Sequence, residues 1–397
     1  MVANNRANTE KSEKKKLTLN QKLALISLAL VDFMSYCSMT IMEPIFPPEA
    51  STKGMTESVS GFLFSFYALI MFVSSPVVGK IIPNFGEKSL FLCGIALSGV
   101  CNILFGLLQY IEHHTLFTFL SFFICGLEAL GASTYSTASY VLIVNIFPNH
   151  IGTVWGILET VVGLGMTAGP AIGGILFSLG GFGLPFYIVG LVSLVFIPLN
   201  SWLLPPSTRS LTNRKSGSII QLIKIPGVII TGLVIITVSI TWTFLEPTLE
   251  PHLRQFNLTP EKVGFLFLLV SAVYGISSPD VSMWLIIGAL SLLGLALALA
   301  EVPTFEAVLV HALSGGLEDN IGTQGIVAGM WTCAFSLGSV IGPAAGGLLL
   351  QAYGFSVAAT TIAIANITLV FVCLIYYGVD NKTNMCKTRQ FKNGLEG

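Results

Sequence analysis

Five acidic residues lie inside long apolar stretches of the chain, and no lysine or arginine lies in those stretches. They are Asp32, Glu128, Glu159, Glu301 and Glu306. An ionised carboxylate at the centre of a bilayer costs roughly 2.5–3.5 kcal/mol on insertion scales. Such acids are expected either to bind protons in some states or to be neutralised by a cationic ligand. Both explanations describe the exchange of a cation for protons.

Some of these acids also have a structural interpretation. Asp32 lies midway along the first apolar stretch, where the hydroxyl of Ser35 or Tyr36 could satisfy it instead. Glu159 lies early in its stretch and could extend its carboxylate to the membrane interface. Glu128 lies deeper in its apolar stretch than Glu159 does, which favours a functional role for Glu128 over a structural one.

The last two acids surround a proline. Glu306 follows Pro303, and a helix broken at that proline would present Glu306 to the interior, with Glu301 and His311 as further candidates.

The composition excludes most soluble classes of protein. Hydrophobic residues make up 53% of the 397 residues and charged residues only 10%, whereas a soluble domain carries about 25% charged residues. The 19 lysines and arginines nearly balance the 20 acids, so no nucleic-acid partner is expected. The sequence lacks HExxH, GxSxG and a phosphate-binding glycine loop, and its cysteines show no metal spacing. We therefore expect no enzyme, no metal and no cofactor, with protons as the coupling ion.

The elements that must position the acids are membrane-spanning helices, since a span needs about 20 mostly apolar residues. The sequence predicts eleven spans, near residues 23–46, 59–79, 89–110, 116–140, 152–178, 184–204, 226–246, 263–279, 283–312, 324–350 and 355–378.

The basic residues predict the orientation of these spans. They cluster in the N-terminal segment 1–21, between the second and third spans, and in the linker 205–225. By the positive-inside rule this side is cytoplasmic. No signal peptide is apparent in residues 1–21, and we expect them to form a cytoplasmic tail.

The chain repeats itself. Glu43-Pro44, then GFLF from Gly61 and SSP from Ser74, recur 203 residues later as Glu246-Pro247, GFLF and SSP. The stretch Gly156–Gly174 recurs as Gly329–Gly347, displaced by only 173 residues. The difference of 30 residues equals about one span with its loop.

Two repeated halves joined by a cytoplasmic linker resemble the architecture of the major facilitator superfamily. The resemblance implies an all-α membrane protein, with halves at 22–204 and 226–378 and a polar tail at 379–397. The second half lacks one span, and we infer that the ninth is missing. Eleven spans would place the tail outside, whereas its basic residues favour the cytoplasm.

Two further motifs resemble those of this superfamily. The run from Gly165 to Gly174 resembles the antiporter motif of drug:proton antiporters and vesicular amine transporters, and it has a copy in the second half. We expect it to pack helices and bend them. The motif residues are Gly165, Gly169, Pro170, Gly173 and Gly174, with Gly338, Gly342, Pro343, Gly346 and Gly347 in the copy.

The loop from Gly79 to Lys88 resembles the superfamily signature at Gly79, Gly86 and Lys88. Pro83 replaces the usual aspartate, and Cys125 stands where the drug antiporters usually carry an arginine in the fourth span. The roles of that aspartate and that arginine therefore cannot be transferred to this chain.

Most of the chain resembles the vesicular amine transporter family, especially its polyamine-transporting branch. The resemblance is carried by FPPEA from Phe46, IFPNHIGTVWGILET from Ile146, FLEPTL from Phe244 and VPTFEA from Val302. It implies proton-coupled antiport of an organic cation, a polyamine or monoamine, into acidic vesicles, with Asp32 meeting the amine. Glu43-Pro44 and Glu246-Pro247 are expected to shape gates.

Other interpretations stay open at this stage. Aromatic residues could line a cation site, but core or lipid contact is the simpler expectation for them; they are Tyr67, Trp155, Trp242, Phe244 and Tyr274. The chain could be a plasma-membrane multidrug exporter, or a non-transporting truncated form. We expect membrane lipid and a small cation as partners, and a monomer.

Overall fold

A computed structural model describes residues 17–206, 219–253, 296–297 and 299–393. The side chains at positions 57, 58, 61, 245–253, 351, 355, 377 and 379–393, which include Glu246 and Pro247, are also outside the description. All secondary structure in these ranges is helical. Helices satisfy their own backbone hydrogen bonds, which is what an apolar chain in a bilayer requires.

The first half forms six long helices joined by short turns. They are α1 (Leu19–Thr52), α2 (Glu57–Phe85), α3 (Glu87–Leu107), α4 (His114–Ile146), α5 (Ile151–Gly180) and α6 (Gly183–Leu203). We call the end of the bundle at which α2, α4 and α6 end the inner end, and the opposite end the outer end. The inner end is the one that the positive-inside rule assigns to the cytoplasm.

The described part of the second half begins with the short helix α7 (Ile219–Ile223) and continues with α8 (Pro226–Leu253) and α9 (Thr304–Ser314). The last helical stretch, Ile321–Asn393, turns at Gly354, whose φ of 77° and ψ of 170° are not helical. Its apolar parts are α10 (Ile321–Leu350) and α11 (Ser356–Tyr376).

Nine helices within the described ranges are long and apolar enough to cross a membrane. They match nine of the eleven predicted spans. The predicted span 263–279 and the first part of the predicted span 283–312 lie outside the described residues. The described part of the latter is broken at Val302–Pro303, where the chain turns before α9 begins. The predicted break at Pro303 is thus present.

The sequence repeat is also a repeat of contacts. A Cβ atom built on Gly165 of α5 would lie 2.7 Å from the carbonyl oxygen of Phe33 in α1. A Cβ atom built on Gly338 of α10 would lie 2.6 Å from the carbonyl oxygen of Ile236 in α8. One turn later, Gly169 meets Cys37 and Gly342 meets Ile240 in the same way, at 2.9 Å.

The contacted residues of α1 and α8 are displaced by 203 residues, and the glycines of α5 and α10 by 173. The turns that follow α5 and α10 match as well, because Gly181 and Gly354 both have a positive φ, of 70° and 77°. At Gly165, Gly169, Gly338 and Gly342 these motifs approach the backbone of the neighbouring helix closely. In contrast, Gly174 and Gly347 have no neighbouring atom within 4 Å.

In the second half, α10 runs outward and α11 runs back to the inner end. Near the inner end of α2, Ser75 packs against Gly329 of α10 and Gly79 packs against Gly325, so the two helices are antiparallel and α10 runs outward. In the outer part of α8, Phe244 packs against Ala358 and Ile362 of α11. Closer to the inner end, the side-chain amide of Asn366 in α11 donates a hydrogen bond to the Thr241 hydroxyl of α8. Helix α11 therefore runs inward, which favours the cytoplasmic placement of the C-terminal tail that its charges indicate.

The buried core joins the two halves at the inner end. One cluster there contains Leu28, Ile82 and Phe147 of the first half together with Val308 and Ile326 of the second. At the outer end, the first half has its own core around Phe46, Phe105 and Phe186. The described outer core of the second half is built from that half alone. In the described part of the chain, the inner end is thus the closed one.

Aromatic rings carry much of this closure. Trp155 of α5 stacks on Phe305 of α9, with ring centroids 4.8 Å apart and planes 6° apart. Trp331 of α10 meets the edge of Trp155 at 5.1 Å and stacks on Phe335 at 5.5 Å. Tyr140 of α4 packs against Trp155 at 4.5 Å. We call these five rings the inner aromatic cluster.

The glycine contacts predict a difference between two alanine substitutions in α5. Gly165→Ala should lower the melting temperature of the purified protein, because the new methyl group overlaps α1 and overpacking costs about 1–3 kcal/mol. Gly174→Ala, a matched control with open space at its Cβ position, should leave the melting temperature unchanged or slightly raised. Equal effects of the two substitutions would contradict the packing role of Gly165.

The inner aromatic cluster predicts energetic coupling between the two halves. In a double-mutant cycle of Trp155→Leu and Phe305→Leu, the stacked pair should contribute a coupling of about 0.5–1.5 kcal/mol to stability. Thermal unfolding of the single and double variants in lipid nanodiscs measures it. The exposed pair Phe119 and Phe123 of α4, also stacked but within one helix, provides the control cycle. Strictly additive effects at Trp155 and Phe305 would show that the cluster does not couple the halves.

Candidate functional site

Three of the five predicted acids come together between the halves. Asp32 of α1, Glu159 of α5 and Glu301 at the break before α9 are half-buried, and Glu159 lies within electrostatic range of both others. The close packing of α1 on α5 explains one part of this arrangement, since Asp32 immediately precedes Phe33, which contacts Gly165. The break at Pro303 explains the other part, because it brings Glu301 of the second half to the first. We call these three residues the acidic cluster.

The acidic cluster has no cationic partner among the described residues. In that part of the chain, no hydrogen bond or ion pair reaches the carboxylates of Asp32, Glu159 or Glu301. The salt bridge between Lys53 and Glu49, at 3.8 Å, lies at the outer end of α1. Among the described residues, no hydrogen bond joins the hydroxyl of Ser35 or Tyr36 to Asp32, which was the structural alternative for this acid. A half-buried set of like charges is costly unless something neutralises it.

Tyrosine side chains surround the acidic cluster. Tyr36 and Tyr140 lie within electrostatic range of Asp32, Glu159 and Glu301. Their hydroxyl groups can hydrogen-bond to an amine, and their ring faces attract cations. The sequence analysis did not single out these two rings as site residues. A signal existed for Tyr36, which follows Asp32 by one helical turn and therefore shares its face.

Glu128 of α4 occupies a neighbouring but distinct position inside the first half. The Asn102 side-chain amide donates a hydrogen bond to its carboxylate at 3.0 Å, and the Ser38 hydroxyl donates to the Asn102 carbonyl at 2.7 Å. Tyr135 lies within electrostatic range of both Glu128 and Asp32. A small cavity lined in part by Ser38 and Asn102 adjoins this network. Glu128 is therefore held by hydrogen bonds, whereas the acidic cluster is not.

The other predicted site residues lie elsewhere. The Glu306 side chain is exposed at the inner end, close to Gly152 at the start of α5, and is not part of the acidic cluster. Glu43 and Pro44 lie in the outer part of α1, while the side chains of Glu246 and Pro247 are outside the described residues. The gate role of these two Glu-Pro pairs stays a prediction.

The candidate aromatic residues also lie in different parts of the structure. Phe244 is fully buried in the outer core of the second half, as the simpler interpretation expects. Trp155 is buried in the inner aromatic cluster. Tyr67 lies within electrostatic range of Glu128, whereas Tyr274 lies outside the described residues.

The residues of the loop between α2 and α3 have structural roles. Gly86 adopts a φ of 83°, which favours glycine, and it ends α2 and begins α3. Lys88 donates hydrogen bonds to the carbonyl oxygens of Ser201 and Leu204, both at 2.7 Å. The lysine thereby caps the C-terminal end of α6, where the helix dipole favours a cation. Helix capping of this kind does not require an acid at the position of Pro83.

Comparison with known proteins identifies the family of the chain. The family model of the Major Facilitator Superfamily matches residues 28–316, more than half of the chain. The MFS-type transporter SLC18B1 of mouse is 31% identical over 87% of this chain and 84% of its own length. The human SLC18B1 is 32% identical over 86% of this chain and 83% of its own.

More distant relatives include the rat chromaffin granule amine transporter, which is 23% identical over 79% of this chain and 64% of its own length. Among solved structures, the human organic anion transporter MFSD10 (TETRAN) aligns with a TM-score of 0.67 and 15% identity, covering 88% of this chain and 99% of that one. That likeness shows the fold alone. The predicted resemblance to this superfamily and to the amine transporters within it is confirmed, and the chain belongs to the Major Facilitator Superfamily as a multi-pass membrane transporter, not an enzyme.

Proposed function

We propose that the chain is a proton-coupled antiporter of organic cations, with polyamines or monoamines as substrates. The observation that carries the proposal is the acidic cluster, three carboxylates contributed by both halves and unpaired among the described residues. A protonated amine would neutralise these carboxylates and meet the rings of Tyr36 and Tyr140. Protons arriving from the other side would displace the amine by neutralising the same carboxylates.

The placement of the cluster between the halves supports a mechanism of alternating access. A cation that binds residues of both halves would stabilise the conformations in which those residues lie close together. Its release would allow the halves to rock between the two states of alternating access. In this mechanism, a state with the inner end closed would exchange its cation on the outer side. In an acidic vesicle the outer side is the lumen, where protons are abundant.

The relatives support the substrate class and the location. The chromaffin granule amine transporter is named for an amine and for a granule, and the resemblance to the polyamine-transporting branch favours a polyvalent amine. We therefore propose acidic intracellular vesicles as the location. A further relative is the multidrug resistance protein 2 of Bacillus subtilis, which is 23% identical over 85% of this chain. Export of many lipophilic cations is the alternative that this relative suggests.

Uptake of labelled spermidine into proteoliposomes with an acidic interior tests the proposal. The chain should accumulate the label, and a protonophore should abolish the accumulation. Asp32→Asn and Glu159→Gln should each reduce uptake at least about tenfold, because each removes a charge that a desolvated cation requires, worth about 1.5–3 kcal/mol. Glu112→Gln, which removes an exposed acid from an outer loop, should leave uptake unchanged.

The outcomes separate the alternatives. Uptake of tetraphenylphosphonium in preference to spermidine would favour the multidrug exporter. No uptake of either cation by folded, unmodified protein would contradict the proposal and favour a non-transporting form.

A further inference from the structure

The carboxylate of Glu301 reaches the acidic cluster because the chain breaks beside it. Pro303 has no backbone N–H and cannot continue the helix that precedes it. Helix α9 then begins at Thr304, so Glu301 lies at a helix end whose carbonyl groups lack intrahelical partners. A carboxylate at such a position would move with the backbone unless something else held it.

Two hydrogen bonds hold this break. The Thr304 hydroxyl donates to the carbonyl oxygen of Glu301 at 2.6 Å, and the Trp331 indole N–H donates to the same hydroxyl at 2.9 Å. Thr304 and Trp331 are both 3% exposed, so water does not compete for these groups. The peptide of Glu301 is therefore tied through one hydroxyl to α10.

Trp331 is itself fixed by the inner aromatic cluster, between Trp155 and Phe335. The chain of contacts thus runs from rings that close the inner end, through Thr304, to the backbone of a carboxylate in the acidic cluster. The mechanism proposed above does not use Thr304, which touches neither the cluster carboxylates nor their tyrosines in the contacts described.

We propose that Thr304 and Trp331 are positioning residues that hold the Glu301 carboxylate at the substrate site. This inference rests on the proposed function, in which Glu301 meets the cation. Loss of the Thr304 hydroxyl would free the Glu301 carbonyl and leave a buried indole N–H without its acceptor. The substrate would then find two carboxylates in place and a third displaced.

Transport kinetics with three variants test the inference. Thr304→Val keeps the shape of the side chain and removes the hydroxyl, Thr304→Ser keeps the hydroxyl, and Trp331→Phe keeps a ring and removes the donor. Thr304→Val should raise the KM for spermidine about fivefold or more at similar maximal velocity, and Thr304→Ser should restore the KM to within about twofold. Trp331→Phe should give an intermediate KM.

The matched control is Thr360→Val in α11. Thr360 is exposed and donates an ordinary hydrogen bond to the carbonyl oxygen of Ser356 at 2.7 Å, so its loss should not change the KM. A KM for Thr304→Val equal to that for Thr304→Ser would overturn the inference while leaving the proposed function intact. A fall in maximal velocity alone would also overturn it, because a structural defect lowers the amount of working protein without changing affinity.

A second measurement does not depend on transport. In a Glu301→Cys variant, the thiol at position 301 should react with a cationic methanethiosulfonate reagent. Mass spectrometry of the peptide that carries this thiol measures the rate of the reaction. Adding Thr304→Val should slow the reaction about fivefold, and adding Thr304→Ser should not. If the unmodified chain transports nothing, the proposed function fails and this rate alone decides whether Thr304 positions residue 301. Equal rates in the two double variants would overturn the inference.

Discussion

The close approach of α5 to α1, and of α10 to α8, sets the geometry on which the rest of the structure depends. In a bilayer, lipid chains compete with side chains for apolar contact, so helices associate mainly where small residues let backbones meet. Gly165 and Gly169 place α5 against the carbonyl groups of α1, and Gly338 and Gly342 do the same in the second half. A side chain at these positions would push Glu159 away from Asp32.

The packing of the helices is repeated in the two halves, but the acidic residues of the first half are not repeated in the second. Displacing Asp32 by 203 residues leads to Ile235, and displacing Glu159 by 173 leads to Thr332, so the second half has an apolar and a neutral residue where the first has acids. Both replacements are buried. The second half contributes Glu301 instead, from a broken helix. If a cation binds there as proposed, an asymmetric set of carboxylates on a symmetric frame would give it one preferred orientation, which a symmetric set would not.

Much of this organisation could be predicted from the sequence, because it depends on local patterns. The length of the apolar stretches predicts the spans, the internal repeat predicts the two halves, and Pro303 predicts the break. The grouping of Asp32, Glu159 and Glu301 could not be predicted, since residues so far apart meet only through tertiary packing. Glu306 illustrates the difficulty, because its position after the break equally suits an interior residue, and only the direction of α9 shows it to be exposed. Tyr140 was missed for the same reason, because it shares no helix with the acids of the cluster.

The inner aromatic cluster and the acidic cluster are connected by the helices that carry them. Trp155 precedes Glu159 by four residues in α5, and Glu301 precedes Phe305 by four across the break. Trp155 and Glu159 therefore lie about one turn apart on α5, while Glu301 and Phe305 lie on either side of the break. We expect motion that separates Trp155 from Phe305 to separate Glu159 from Glu301 as well. In the proposed mechanism, a cation or a proton between the two carboxylates would relieve their repulsion and so favour closure of the inner end. On α5 a single turn of helix carries both contacts, and across the break the hydrogen bond from the Thr304 hydroxyl to the Glu301 carbonyl oxygen joins the two sides.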